Sequence, residues 1–181
     1  MKIFLALLIC FMAGCVAIPR GTYYTPIYSN GKPHSQSCDS NANKVALTIE
    51  ANKNVRLELS LIPNAKNNLE LKMGLIINKG SRVELTQNSI YIESFSKKEY
   101  ILPEWKPLVL FGGETSIWLG GKEEKYFFKQ YWSVVELTAP NTRKYIIYLP
   151  QMLIDGQSVI LEPIVFELRS GELQIFPALN C

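Results

Sequence analysis

His34 is the only histidine in a chain of 181 residues. A base-activated serine or cysteine nucleophile would have to use that one imidazole. It stands at Lys32-Pro33-His34-Ser35, in a stretch that reads as solvated chain, so no triad is expected around it. Paired carboxylates for glycoside hydrolysis would have to come from Glu114, Glu123, Glu124 and Glu136. Of these, Glu123-Glu124 lies between Lys122 and Lys125 and reads as a charged turn. No Cys-x-x-Cys pair and no second histidine exist, which leaves no zinc set. Cys38-Asp39-Ser40-Asn41-Ala42-Asn43 offers one carboxylate and lacks the pattern of a calcium loop. Gly121-Lys122 has Ser116 where a phosphate loop needs glycine and Glu123 where it needs Ser or Thr. Its glycines read as turn residues, as do Gly112-Gly113. The expectation is a protein that is not an enzyme, with no metal and no cofactor.

One segment could carry recognition. Lys125-Tyr126-Phe127-Phe128-Lys129-Gln130-Tyr131-Trp132 holds five aromatics in eight residues. As a strand, alternation sets Tyr126, Phe128 and Trp132 on one face and Phe127 and Tyr131 on the other. One face belongs to a core. The other, with Lys129, would suit stacking on a sugar or contact with a protein partner. A central strand covered on both faces is the competing reading. The candidate surface is Tyr126, Phe128, Lys129, Tyr131 and Trp132, with Trp105 and Trp118 as possible extensions.

The N-terminus carries an address. Lys2 is a positive n-region, and Ile3 to Met12 is an unbroken apolar run of ten residues. A bilayer core needs roughly 20 apolar residues, so this run is a signal h-region rather than a span. Small residues follow at Ala13 and Gly14. Met12-Ala13-Gly14-Cys15 resembles the lipobox of bacterial lipoproteins, with Met where Leu is usual. The resemblance covers the first fifteen residues only. It implies a diacylglycerol on the Cys15 thiol, further acylation such as palmitate, and cleavage that leaves Cys15 first. Two or more acyl chains anchor stably at about 0.8 kcal/mol per buried CH₂. In that family an Asp after the cysteine signals inner-membrane retention. Val16 stands there, which for a Gram-negative cell points to the outer membrane, facing the periplasm or the surface; in a Gram-positive cell the same anchor would sit on the outer face of the only membrane. Ordinary secretion with cleavage near Ala13 or Ala17 is the alternative.

Of four cysteines, Cys10 leaves with the signal and Cys15 takes the lipid. Cys38 and Cys181 remain, either as a disulfide in an oxidising compartment or as two buried thiols. A bridge would close nearly the whole domain into one loop, for a chain-entropy gain on the order of 5 kcal/mol.

The elements behind these residues are strands. Residues 1–14 read as signal, and 15–43 as the lipidated N-terminus and a flexible tether rich in Pro, Gly, Ser and Asn. Tyr23, Tyr24 and Tyr28 lie in that stretch, and at least one is expected to pack back on the domain. From Lys44 a period of two takes over. Val55, Leu57, Leu59 and Leu61 alternate with Arg56, Glu58 and Ser60, and similar runs recur to Phe176. Tyr126 to Leu137 reads as one long strand or a bent pair. Trp105 to Phe111 contains Pro107 and suits an edge. Asp155-Gly156 marks a two-residue hairpin. No clean helical period appears outside the signal. Residues 44–181 are therefore expected to form one all-β domain, an antiparallel two-sheet sandwich of immunoglobulin-like type, with a small closed β-barrel as the alternative and two tandem small sandwiches as a third reading.

The chain is 48% hydrophobic and carries a formal charge of +3. The first figure excludes disorder and the second argues against a nucleic-acid partner. The functional expectation is a lipid-anchored envelope β-sandwich that binds or scaffolds without catalysis. Its partners would be the membrane, through the lipid, and an envelope protein or glycan. The alternative is a carbohydrate or small-ligand module using the aromatic strip.

Overall fold

The computed structural model describes residues 16–19, 22–34, 45–63, 68–94, 98–101, 108–119, 121–137, 142–170 and 173–176. Residues 1–14, Cys15, Cys38, Trp105 and Cys181 lie outside the described residues. Every regular element is a strand. In chain order they begin with β1 (Val16–Pro19), β2 (Thr22–Ile27), β3 (Gly31–His34), β4 (Ala46–Asn52), β5 (Val55–Pro63) and β6 (Leu69–Asn78). Next come β7 (Arg82–Leu85), β8 (Ile90–Ser94), β9 (Lys98–Ile101), β10 (Val109–Phe111), β11 (Thr115–Leu119) and β12 (Lys122–Tyr126). The last are β13 (Phe128–Leu137), β14 (Lys144–Tyr148), β15 (Met152–Ile154), β16 (Gln157–Val159), β17 (Ile164–Ser170) and β18 (Leu173–Phe176).

Two five-stranded antiparallel sheets form a sandwich. The first runs β13-β6-β5-β4-β3 and the second β2-β17-β14-β8-β9. Alternation explains their inner faces. Leu57, Leu59 and Leu61 of β5 face inward beside Leu71, Met73 and Leu75 of β6, all essentially inaccessible. The second sheet answers with Ile92, Tyr145, Ile147 and Phe166 in the same continuous core. A four-stranded sheet, β10-β7-β15-β16, extends this core with Val83, Leu85, Leu110, Met152 and Ile154. The ribbon β11-β12 and the pair β1-β18 stand apart from these sheets, and no sheet closes into a barrel. Since one core joins all three larger sheets, the chain does not divide into tandem sandwiches.

Turn chemistry follows the sequence. Asp155 and Gly156 have φ of 52° and 81°, the paired left-handed conformations of a type I′ turn. The Asp155 side chain also accepts the Arg82 N–H at 2.8 Å, which pins the hairpin to β7. Gly112 lets β10 pass close to the turn after β6. A Cβ there would lie 1.8 Å from the Asn78 carbonyl oxygen.

The expected tether is in large part a structural element. β2 pairs with β17 along its whole length, from Thr22↔Ser170 to Ile27↔Val165. β3 pairs with β4 from Gly31↔Ile49 to His34↔Ala46. Residues 22–34 therefore contribute an edge strand to each face of the sandwich, and the domain begins well before Lys44. Tyr24 is the reason β2 is held. Its ring is 4% exposed and meets Tyr145 edge-on at 5.5 Å, and its hydroxyl donates to the Thr142 carbonyl at 2.7 Å.

Candidate functional site

β13 positions the aromatic segment. The run breaks at Phe127, whose carbonyl accepts the Lys79 N–H at 2.8 Å. Tyr126 thus ends β12, and β13 starts at Phe128. From there Phe128, Gln130, Trp132 and Val134 project to the outer face of the first sheet. Tyr131, Ser133, Val135 and Leu137 turn inward. The separation of Phe128 and Trp132 from Tyr131 follows the sequence alternation. The single aromatic strip does not form, because the bend sends Phe127 to a corner of its own.

On the outer face, register brings Trp132 opposite Gly74 of β6 and Phe128 opposite Asn78. The Trp132 ring lies over Gly74, since a Cβ at position 74 would stand 2.8 Å from Trp132 Cζ3 and 2.9 Å from Cη2. A glycine there lets the indole rest against the sheet. Trp132 remains 52% exposed. One rung along, Ile76 is 6% exposed although it faces outward. It forms the apolar floor of an open cleft of about 360 Å³ with Glu50, Asn52, Arg56, Asn78 and Phe128 around it.

The cleft is polar and cationic on balance, since Lys53 and Arg56 line it against the single carboxylate of Glu50. Glu50 lies 3.4 Å from Lys32 and Arg56 lies 3.6 Å from Glu58. Such exposed pairs contribute little stability. The Asn52 side-chain oxygen accepts the N–H groups of Asn54 and Val55 at 2.8 and 2.9 Å, which fixes the β4–β5 turn that closes one end. An apolar platform beside a polar cleft can take the CH face of a sugar ring and hydrogen-bond its hydroxyls.

The other predicted site residues do different work. Tyr131 is half-buried, and its hydroxyl donates to the Phe111 carbonyl at 2.8 Å, tying β13 to β10. Lys129 is exposed, with Nζ 5.1 Å from the centre of the Tyr131 ring. Tyr126 leans on Phe128 at 5.5 Å between ring centres, and its hydroxyl donates to Glu124 at 2.7 Å. That bond and the neighbouring carboxylate hold its phenol above the usual range. At the corner, Phe127 and Phe111 are both mostly exposed and carry Lys79 and Arg82 over their rings, each at 5.8 Å. Lys79 also pairs with Glu114, whose carboxyl it holds below the usual range. Among the described residues no three His, Cys, Asp or Glu side chains converge on one point.

Sequence reasoning missed Gly74, Ile76, Glu50 and Arg56 as members of the site. The alternation marks Glu50 and Arg56 as outward-facing, but only cross-strand register brings them beside Phe128. Set against models of known protein families and against curated protein sequences, the chain matches none. The reading of this face therefore rests on its geometry.

Proposed function

We propose that the chain is a lipid-anchored β-sandwich of the bacterial cell envelope, a non-enzymatic module that binds through the outer face of its first sheet. The observation that carries the binding role is Trp132, seated on Gly74 and half open to solvent beside the Ile76–Phe128 cleft. An indole held flat on a sheet loses little freedom on contact and presents a large apolar area. Support for the location is the likeness of Met12-Ala13-Gly14-Cys15 to a lipobox, with Cys15 as acyl acceptor and the outer membrane as destination. A Cys15→Ala chain should leave the membrane fraction, and its retention after a carbonate wash would sink the anchor.

The platform favours carbohydrate, because an exposed indole and the apolar Ile76 floor adjoin polar side chains able to bond hydroxyls. Titration of the protein with envelope glycans should quench tryptophan emission, and Trp132→Phe should remove that quenching. If no glycan quenches, the platform is a protein contact. Covalent capture by a photoreactive group at Gln130 in the intact envelope is then the informative assay.

A further inference from the structure

β13 is one edge of the first sheet, and among the described residues it pairs only with β6, over ten rungs from Phe128↔Asn78 to Leu137↔Leu69. Two contacts fix the direction of its peptide groups. The Phe127 carbonyl points to the β6 side, where it accepts the Lys79 N–H. The Phe128 carbonyl points the other way, where it accepts the Thr115 hydroxyl at 2.8 Å. Peptide groups alternate along an antiparallel strand. Gln130, Trp132 and Val134 therefore aim N–H and C=O off the sheet edge, while their side chains line the outer face.

The other edges of the three larger sheets are guarded in the ways that sheets commonly use. β3 has four residues, including Lys32 and Pro33. β2 holds Pro26, β9 is four residues and opens on Lys98-Glu99, and β10 and β16 are three residues each. β13 has ten residues without proline or glycine, and its only charges, Lys129 and Glu136, stand near its ends.

We infer that β13 is the contact between two copies of this chain, paired antiparallel about a two-fold axis at Ser133, so that two five-stranded sheets become one. Two registers keep the outer faces continuous at mid-strand, one centred on Trp132 and one on Ser133. The first needs Phe128 as a rung, and Thr115 already occupies that carbonyl. The second uses Gln130, Trp132, Val134 and Glu136 alone. It sets Trp132 against the partner's Val134 and Gln130 against the partner's Glu136, each rung twice by symmetry. Trp132, 52% exposed, and Val134, 47% exposed, then touch flank to flank, and the outward face of the indole stays open. No like charges fall opposite, and the exposed strand finds an edge of complementary pattern in its own copy. The two binding faces come to lie side by side on one surface. The inference is independent of what those faces bind.

The test uses the full chain in the cell envelope. Across a hydrogen-bonded rung the Cα atoms lie about 5.5 Å apart, within disulfide range. Oxidation of a Gln130→Cys/Glu136→Cys double variant should give a covalent dimer on a non-reducing gel. Neither single variant should do so, since like positions lie about 20 Å apart along the strand. In sedimentation of the extracted protein, Gln130→Glu should weaken the dimer about tenfold by setting two carboxylate pairs face to face. Val134→Pro should abolish it, because it deletes an N–H that points off the sheet and leaves the β6 ladder intact. A monomer at all concentrations overturns the inference. So does a dimer that neither crosslinks nor responds to these substitutions. If the double variant does not accumulate, sedimentation of the unaltered chain and of Gln130→Glu decides alone.

Discussion

Tyr24→Phe isolates the bond that makes the N-terminal stretch part of the domain. The substitution keeps the ring and its edge-on contact with Tyr145 at 5.5 Å. It deletes only the hydroxyl that donates to the Thr142 carbonyl at 2.7 Å. Thr142 is itself buried. The lost bond contributes about 1 kcal/mol, and stranding a buried acceptor raises the cost to about 2 kcal/mol. For a domain of this size that lowers Tm by about 4–8 °C. In urea, the midpoint should fall with an unchanged slope, followed by tryptophan emission. A second readout is alkaline pH. Burial, with a smaller contribution from the Tyr145 charge, pushes the Tyr24 phenol from 10.0 up to about 12. The unfolded chain therefore releases this proton first. Stability linked to the neutral phenol is complete below pH 10 and is lost as the pH rises through about 12. Tyr24→Phe should flatten that decline in part, leaving the share due to Tyr145, whose phenol burial also raises. A change under about 0.3 kcal/mol, below the usual net value of one hydrogen bond, with the alkaline decline untouched, would refute the reasoning. β2 would then be a loosely applied strand and not an anchor.

Two adjacent glycines should separate cleanly. Gly112→Ala places a Cβ 1.8 Å from the Asn78 carbonyl oxygen and should cost about 1–3 kcal/mol in thermal unfolding. Gly113→Ala meets only the Lys129 side chain at 3.8 Å and should be near neutral. A bridge between Cys38 and Cys181 would give a mass gain of about two daltons on reduction and a loss of several kcal/mol of stability. No gain would establish two thiols.

Much of the sandwich is visible in the sequence because its inner faces use Leu, Ile and Val at period two. β5 and β6 could hardly be read otherwise, and Asp155-Gly156 names its own turn. β2 and β3 escaped because their inward positions are filled differently. β2 buries Tyr24 and Pro26, and β3 carries Gly31 and Pro33. Proline reads as a strand breaker, yet an edge strand tolerates it where its nitrogen faces off the ladder. The aromatic segment and the alternation that parts Phe128 and Trp132 from Tyr131 were visible, but the place of the bend and the seat of the indole were not. The bend at Phe127 depends on a bond from Lys79, and the seat of Trp132 depends on a glycine 58 positions earlier on another strand. Such pairs are set by register, which no local pattern reveals.

The early start of β2 changes the leash. A flexible run from Cys15 to Lys44 would extend to about 100 Å and let the domain roam far above a membrane. With Thr22 already locked against Ser170, the free length after Cys15 falls to about 25 Å when fully drawn out. Pairing of Val16–Pro19 with Leu173–Phe176 shortens it again. Under the proposed lipid anchor, the sandwich would ride close to the headgroups with restricted tilt, sampling neighbours in the plane of the membrane. Lateral encounters between copies would then be frequent, and targets standing tens of ångströms off the bilayer would have to come down to it.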